Sequence, residues 1–270
     1  MNLVARVGLA LTVVVWGSGP ALGRDFGVEM TSSDGTQLTG TLSVPDGPGR
    51  HPAALLIGGF GPHNRDGRFQ SSMYRLWSDG LVARGIVTLR YDKRGTGSSG
   101  GKPFAWLDPL RLQEDIVAAA RTLAARPEVR SGRLTLIGHS QGGDLALAVA
   151  PRLRVVTRIV TLAAPGRPLG DYSRSGLDLV RTIVGPTAAA ALARADPLAD
   201  AARVRQPVLL VQGLADRVVD PSDAERLLAS RRRAGRPTRI LRAPLLGHTM
   251  VDDAGGVPRG LLNRVADFIG

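Results

Sequence analysis

The sequence predicts an α/β fold with a mostly parallel central sheet and helices on both faces. Three observations predict it. Short continuous apolar runs recur along the chain between glycines and prolines, as strands buried on both faces do. Helical patterns separate those runs, which is the rhythm of strand–helix–strand units. The chain has 270 residues, 43% of them hydrophobic and 21% charged, which excludes disordered, collagen-like and coiled-coil classes. A chain of this length buries roughly 70–75% of its unfolded surface, so one large domain suffices.

The amino terminus stands apart from this alternation. Met1 to Arg6 is weakly basic, and Val7 to Trp16 is apolar. Gly17-Ser18-Gly19-Pro20 follows, then Ala21-Leu22-Gly23 with small residues at both positions a signal peptidase reads. An apolar core of about ten residues suits a signal peptide and is short for a membrane span. The expected organisation is therefore a signal peptide over 1–23 and one domain over 24–270, exported to a periplasm or the medium. No membrane span is expected once the signal is removed.

The elements then follow in order. Val28 to Ser33 and Gln37 to Val44 alternate polar and apolar residues around Asp34-Gly35, which predicts an antiparallel hairpin at one edge. Ala53 to Ile57, Ile86 to Arg90, Leu134 to Ile137, Ile159 to Ala163 and Val208 to Val211 read as buried strands. Thr238 to Arg242 reads as the last strand. Helical patterns cover Tyr74 to Ala83, Leu110 to Ala125, Asp144 to Ala150, Pro221 to Arg232 and Arg259 to Ile269. Asp220 before Pro221 predicts a capped helix start. Residues 166–203 are too long for a plain connection. They hold helical pieces at Leu177 to Val184 and Thr187 to Arg194, split by Gly185-Pro186, which predicts a small cap over the strand ends.

The chemistry centres on Gly138-His139-Ser140-Gln141-Gly142, a G-x-S-x-G sequence between an apolar strand and a helical run. In that setting the serine sits on a sharp strand-to-helix turn, with its hydroxyl above the sheet near a helix N-terminus. A hydroxyl needs a base to become a nucleophile, and the base needs a carboxylate to hold it. The chain order serine, acid, histidine selects His248, which is the one histidine downstream of Ser140. Asp216 lies just beyond the strand Val208 to Val211 and is the preferred acid over Asp220, Asp223 and Asp252. Two backbone N–H groups should face the developing oxyanion. One belongs to Gln141; the other comes from the Gly58 to Gly67 loop, with Phe60 preferred and Gly61 next. His51 reads as solvated, His139 as packing beside the serine, and His63 as a possible pocket wall. Cysteine is absent and histidines number four, so neither a metal site nor a cofactor is expected.

Two further stretches identify a family. Gly59 to Gly67 reads G-x-G-P-x-x-R-D-G, and Tyr91 to Ser99 reads Y-D-x-R-G-x-G-x-S. With Ser140, Asp216 and His248, residues 28 to 270 resemble the α/β-hydrolase superfamily, most closely its bacterial esterase and serine-aminopeptidase-like members. The resemblance implies the α/β-hydrolase fold and a Ser-His-Asp triad working through an acyl-enzyme. It implies a small-molecule acyl ester as substrate, with amides and thioesters open to the same triad. It also implies that Asp92 and Arg94 hold a turn near the site. Two positions depart from the pattern: Gly58 stands where relatives often carry histidine, and Phe60 where they carry a small residue.

The net charge of +12 is almost all arginine, since Lys93 and Lys102 are the only lysines. Arg231, Arg232, Arg233, Arg236, Arg239 and Arg242 form a basic cluster that suggests, as the competing class, a non-catalytic anion-binding protein. No aromatics interleave with these arginines and no DNA-reading motif occurs, so no nucleic acid is expected. Arginines at a helix C-terminus complement its dipole, which is the simpler account.

Overall fold

Alternation and burial build the sheet from its edge inward. The computed structural model describes residues 23–67, 72–168, 171 and 174–270. β1 (Arg24–Thr31) and β2 (Gln37–Val44) pair antiparallel across the Asp34-Gly35 turn, where Gly35 adopts φ 82°. Next come β3 (His51–Ile57), α1 (Met73–Val82), β4 (Val87–Tyr91), α2 (Pro109–Ala124), β5 (Val129–His139), α3 (Gln141–Val149) and β6 (Val156–Leu162). Among the described residues, α4 (Arg174–Ile183), α5 (Pro186–Arg194) and α6 (Pro197–Arg203) then precede the next strand. β7 (Val208–Gly213), α7 (Ser222–Arg233), β8 (Thr238–Ala243) and α8 (Arg259–Ile269) complete the chain.

The eight strands lie in the order β1-β2-β4-β3-β5-β6-β7-β8. The edge hairpin joins β4 antiparallel, and every pairing from β4 through β8 is parallel. All residues of β4 and β7 are buried, as strands covered on both faces must be. One face of the sheet carries a core with Leu112, Ile116, Leu123, Leu145 and Leu227 of α2, α3 and α7. The other carries Met73, Trp77, Leu81, Leu262 and Val265 of α1 and α8. Helices on both faces leave the carboxyl ends of the parallel strands as the open rim, where a ligand fits.

Several boundaries differ from the sequence reading for identifiable reasons. β5 begins five residues earlier than its apolar run, because Val129 already pairs with His51 across a register shift. Backbone pairing continues there although Arg130, Ser131 and Gly132 are exposed. The expected start of α7 at a capping Asp220 is corrected by one residue. Pro221 takes the cap position, and Asp220 Oδ1 accepts the Ser222 N–H at 2.8 Å. The excursion between β6 and β7 holds a third helix, α6, in addition to the two expected pieces. Its start copies that of α2: Asp108 and Asp196 each accept two N–H groups of the first turn and precede a proline. α4 and α5 share a separate apolar cluster, with Val180, Ala188, Ala189 and Leu192 packed around Trp106 and Leu107.

The arginine cluster divides into inward and outward members. Arg231 is fully buried and donates to the carbonyls of Ala201, Val204, Gln206 and Pro237 and to Thr238 Oγ1. Arg236 donates to the Ala202 carbonyl, and Arg242 pairs with Glu225 at 2.6 Å. Arg232, Arg233, Arg239 and Arg242 are the ones exposed to solvent. No described helix is long and apolar enough to cross a membrane. The signal-peptide expectation rests on residues 1–22, which lie outside the described residues, as does Tyr172 of the expected cap.

Candidate active site

β5 and α3 meet at Ser140 in a turn that only a constrained backbone allows. Ser140 has φ 51° and ψ −126°, a strained conformation for a residue with a side chain. Its N–H donates to the Leu162 carbonyl of β6 at 2.8 Å, and its own carbonyl takes the Gly143 N–H at 2.8 Å. The flanking glycines are needed for close approach. A side chain at Gly138 would strike the Gly142 backbone, and one at Gly142 would strike the Ile57 carbonyl. The serine is thus raised at the carboxyl rim with the first amides of α3 behind it.

The structure distinguishes sharply among the candidate carboxylates. Asp216, in the turn after β7, has a fully buried side chain whose Oδ2 lies 2.9 Å from His248 Nδ1. Its Oδ1 accepts the N–H groups of Val218 and Val219 at 2.8 and 2.9 Å, and Gln212 Nε2 donates to Oδ2 at 3.3 Å. Burial works against the charge, but the His248 bond and the two N–H groups outweigh it and hold the carboxyl below its ordinary range. The rivals are occupied elsewhere. Asp223 is buried against Arg167, and Asp252 accepts the N–H groups of Ala254 and Gly256. With Nδ1 of His248 donating to Asp216, Nε2 presents its lone pair. The ring of His139, immediately before Ser140, lies 4.8 Å from the His248 ring, centroid to centroid.

The loop after β3 lies against the serine. A Cβ built on Gly59 would stand 3.1 Å from Ser140 Cβ. The Gly59 N–H is taken by the Tyr74 hydroxyl at 2.8 Å, whereas neither the Phe60 nor the Gln141 N–H has an acceptor among the described residues. These are the two amides expected to face an oxyanion. The departure at Phe60 has a role: its ring meets Trp106 edge-on at 5.6 Å and joins the α4–α5 cluster with Leu177 and Val184. The departure at Gly58 is matched by Tyr74, whose hydroxyl would lie 3.3 Å from a Cβ there.

Buried polar groups brace this loop. Lys93 Nζ donates to the Gly59 carbonyl at 2.7 Å, and His63 Nε2 lies 2.9 Å from the Phe60 carbonyl. Burial lowers Lys93 to about 7, against the pull of Asp115. Burial, and then the Lys93 charge, lower His63 to about 4. Asp92 accepts Arg65 through the backbone N–H, Nε and a terminal guanidinium nitrogen, together with the Ser98 N–H. Arg94 bridges Asp115 and Asp34. His63 therefore braces the loop through the Phe60 carbonyl. Tyr74 and Lys93 were invisible as site residues in the sequence, because each reads as an ordinary member of a helix or turn.

A consequence for stability follows from the neutral His63. Unfolded, it titrates near ~6.5. Between that value and about 4 the unfolded chain binds a proton that the fold refuses, so stability falls as pH drops through this window. Urea midpoints at pH 7 and 4.5 should separate less in His63→Gln than in the parent, by the equivalent of about 2 kcal/mol. An unchanged separation would show that His63 titrates normally.

The model of the prolyl oligopeptidase family, a peptidase family, matches residues 72–269. The chain belongs to the prolyl oligopeptidase family. Its match thus runs from the start of α1 to the end of α8 and includes Ser140, Asp216 and His248. The prolyl oligopeptidase-family chain is 30% identical over 147 residues to esterase EstD of Thermotoga maritima, covering 54% of this chain and 35% of that protein. It therefore spans about a third of that relative's length. It is 28% identical over 251 residues to an uncharacterized protein of Mycobacterium tuberculosis, covering 92% and 79% of the two chains. An esterase structure from Pyrococcus furiosus superposes with a TM-score of 0.71 at 18% identity, covering 95% of this chain and 94% of that one. This family member has the α/β-hydrolase fold, as the motifs implied.

Proposed function

We propose that the protein is an exported esterase that cleaves carboxylic esters of short to medium acyl chains through Ser140, His248 and Asp216. The Asp216–His248 pair, whose imidazole lies 4.8 Å from the ring of His139 beside the serine on its strained turn, carries this reading. His248 Nε2 takes the Ser140 proton as Oγ attacks the ester carbonyl, while Asp216 holds the imidazole and stabilises its charged form. The Phe60 and Gln141 N–H groups receive the oxyanion. His248 returns the proton to the leaving alcohol, and water then releases the acyl group from Ser140 by the same steps. Phe60 joins Trp106, Leu177 and Val184 in an apolar cluster, which supports an apolar acyl group beside the oxyanion loop. The substrate in this reading is a small-molecule ester, and the chemistry draws on these side chains together with the two backbone N–H groups. The amino-terminal pattern of residues 1–23 supports export.

Peptide or amide cleavage is the second reading, favoured by the family's own name. Thioesters would use the same groups. The test is a panel of p-nitrophenyl esters of graded chain length beside aminoacyl p-nitroanilides, with a serine-directed phosphonate as label. Ser140→Ala should lose at least about 10³-fold in kcat and all labelling while melting normally. Retained turnover in Ser140→Ala, or labelling at another residue, would refute the triad. Faster cleavage of anilides than of esters would transfer the reading to a peptidase.

A further inference from the structure

One hydroxyl connects the two halves of the site. The Tyr74 oxygen accepts the Gly59 N–H at 2.8 Å and stands 3.2 Å from His139 Nδ1. The other nitrogen of that ring, His139 Nε2, is 2.9 Å from the backbone carbonyl of His248. These distances assign the protons. A carbonyl can only accept, so His139 Nε2 carries the hydrogen. Burial, reinforced by the neighbouring His248, lowers His139 to about 3, so the ring is neutral and Nδ1 is bare. Tyr74 must then donate to Nδ1. The chain runs in one direction, from the Gly59 N–H to Tyr74 to His139 to the His248 carbonyl.

Its ends are the functional loops. Gly59 precedes the oxyanion donor Phe60 and gives its carbonyl to Lys93. His248 is the base, and His139 precedes the nucleophile. All three linking side chains, Tyr74, His139 and Lys93, are more than nine-tenths buried. Tyr74 packs closely against the backbone of Gly67 and Gly58, where an added Cβ would stand 2.9 and 3.3 Å from its ring and hydroxyl. The ring pairs of His63 with Tyr74 and of Tyr74 with His139 pack edge-on at 5.8 and 5.9 Å.

We propose that Tyr74 and His139 are positioning residues that lock the oxyanion loop and the His248 loop into one register on either side of Ser140. This rests on the triad reading above. Oxyanion donors act at 2.7–3.1 Å from the developing charge, and a misplacement of about 1 Å can cost about 10²-fold in rate. A register shared by donor and base places both errors on one hydrogen-bond chain. A polar pair that merely satisfies the core would alter stability and leave the chemical step alone.

The test uses Tyr74→Phe, which keeps the ring and deletes the bridge. With p-nitrophenyl butyrate, kcat should fall about 10- to 100-fold while KM stays within about twofold. His139→Gln retains an amide N–H near the Nε2 position, so it should keep several-fold more kcat than His139→Leu. The double variant Tyr74→Phe/His139→Leu should be no slower than His139→Leu alone, because both changes cut one chain. Wild-type kcat in Tyr74→Phe, or losses that multiply in the double variant, would overturn the lock. If Tyr74→Phe does not fold, equal kcat in His139→Gln and His139→Leu overturns it instead. Ser140→Ala is assayed alongside. If it is inactive while Tyr74→Phe runs at full rate, the triad stands and the lock falls; if Ser140→Ala itself is active, the triad falls first.

Discussion

Asp216→Asn should lower kcat by about 10³- to 10⁴-fold without unfolding the protein. The geometry shows why an isosteric change is so costly. Asp216 Oδ1 receives two backbone N–H groups, from Val218 and Val219. An asparagine must keep its oxygen there, which turns its NH2 toward His248 Nδ1. Nδ1 now has to accept, so the single ring proton moves to Nε2, facing the serine. A base with its lone pair on the wrong nitrogen cannot take the Ser140 proton. Gln212 Nε2, which donates to Oδ2, meets the new NH2 and must turn as well. The loss corresponds to about 4–5.5 kcal/mol of transition-state stabilisation. Steady-state kinetics on p-nitrophenyl butyrate with a parallel melting curve measures it; a drop below tenfold would place the catalytic acid elsewhere.

Arg231→Leu should produce the largest loss of stability of any single change proposed here, about 4 kcal/mol, with activity per folded molecule unchanged. The side chain has no exposed surface and, among the described residues, no carboxylate partner. Its charge is solvated instead by the carbonyls of Ala201, Val204, Gln206 and Pro237. Burial, and then Arg236, lower the guanidinium to about 10, so it remains charged at neutral pH. Leucine removes every donor and leaves those acceptors dry, at roughly 1–3 kcal/mol each before relaxation. The carbonyls belong to α6 and to the turns leading into β7 and β8, so the variant loosens the seam between the α4–α6 excursion and the sheet. A domain of this size loses about 2–4 °C of melting temperature per kcal/mol, which makes the drop about 10 °C. Arg231→Lys should fall between, since an ammonium has three donors in place of a guanidinium's five. A melting temperature within about 2 °C of the parent would show that water replaces the guanidinium at no cost.

The contrast between these two residues shows what was legible in the sequence. Ser140 and His248 could be named from residue type, order and the strand–turn–helix context, because local pattern determines which loops reach the carboxyl rim. The buried strands were equally legible, since a strand covered on both faces must be apolar throughout, as β4 is. α6 was missed although Asp196-Pro197 repeats the Asp108-Pro109 signature that begins α2. Its seven residues, about two turns, hold too few apolar side chains to show a period. Arg231 looked like one more basic residue at a helix end. Nothing local distinguishes it from exposed Arg232 or Arg233; only the packing of α7 against α6 turns it inward.

The sequence by itself determined the fold class and the candidates for nucleophile, base and acid, because these depend on short-range periodicity and on which residue types can do the chemistry. The tertiary structure decided which carboxylate pairs with His248, which nitrogen of His248 and of His139 carries its proton, and which cations are buried. Those facts depend on distances between segments far apart in the chain, such as the 65 residues from Tyr74 to His139. Burial and hydrogen-bond direction arise only when the strands stack and exclude water, so no linear pattern records them.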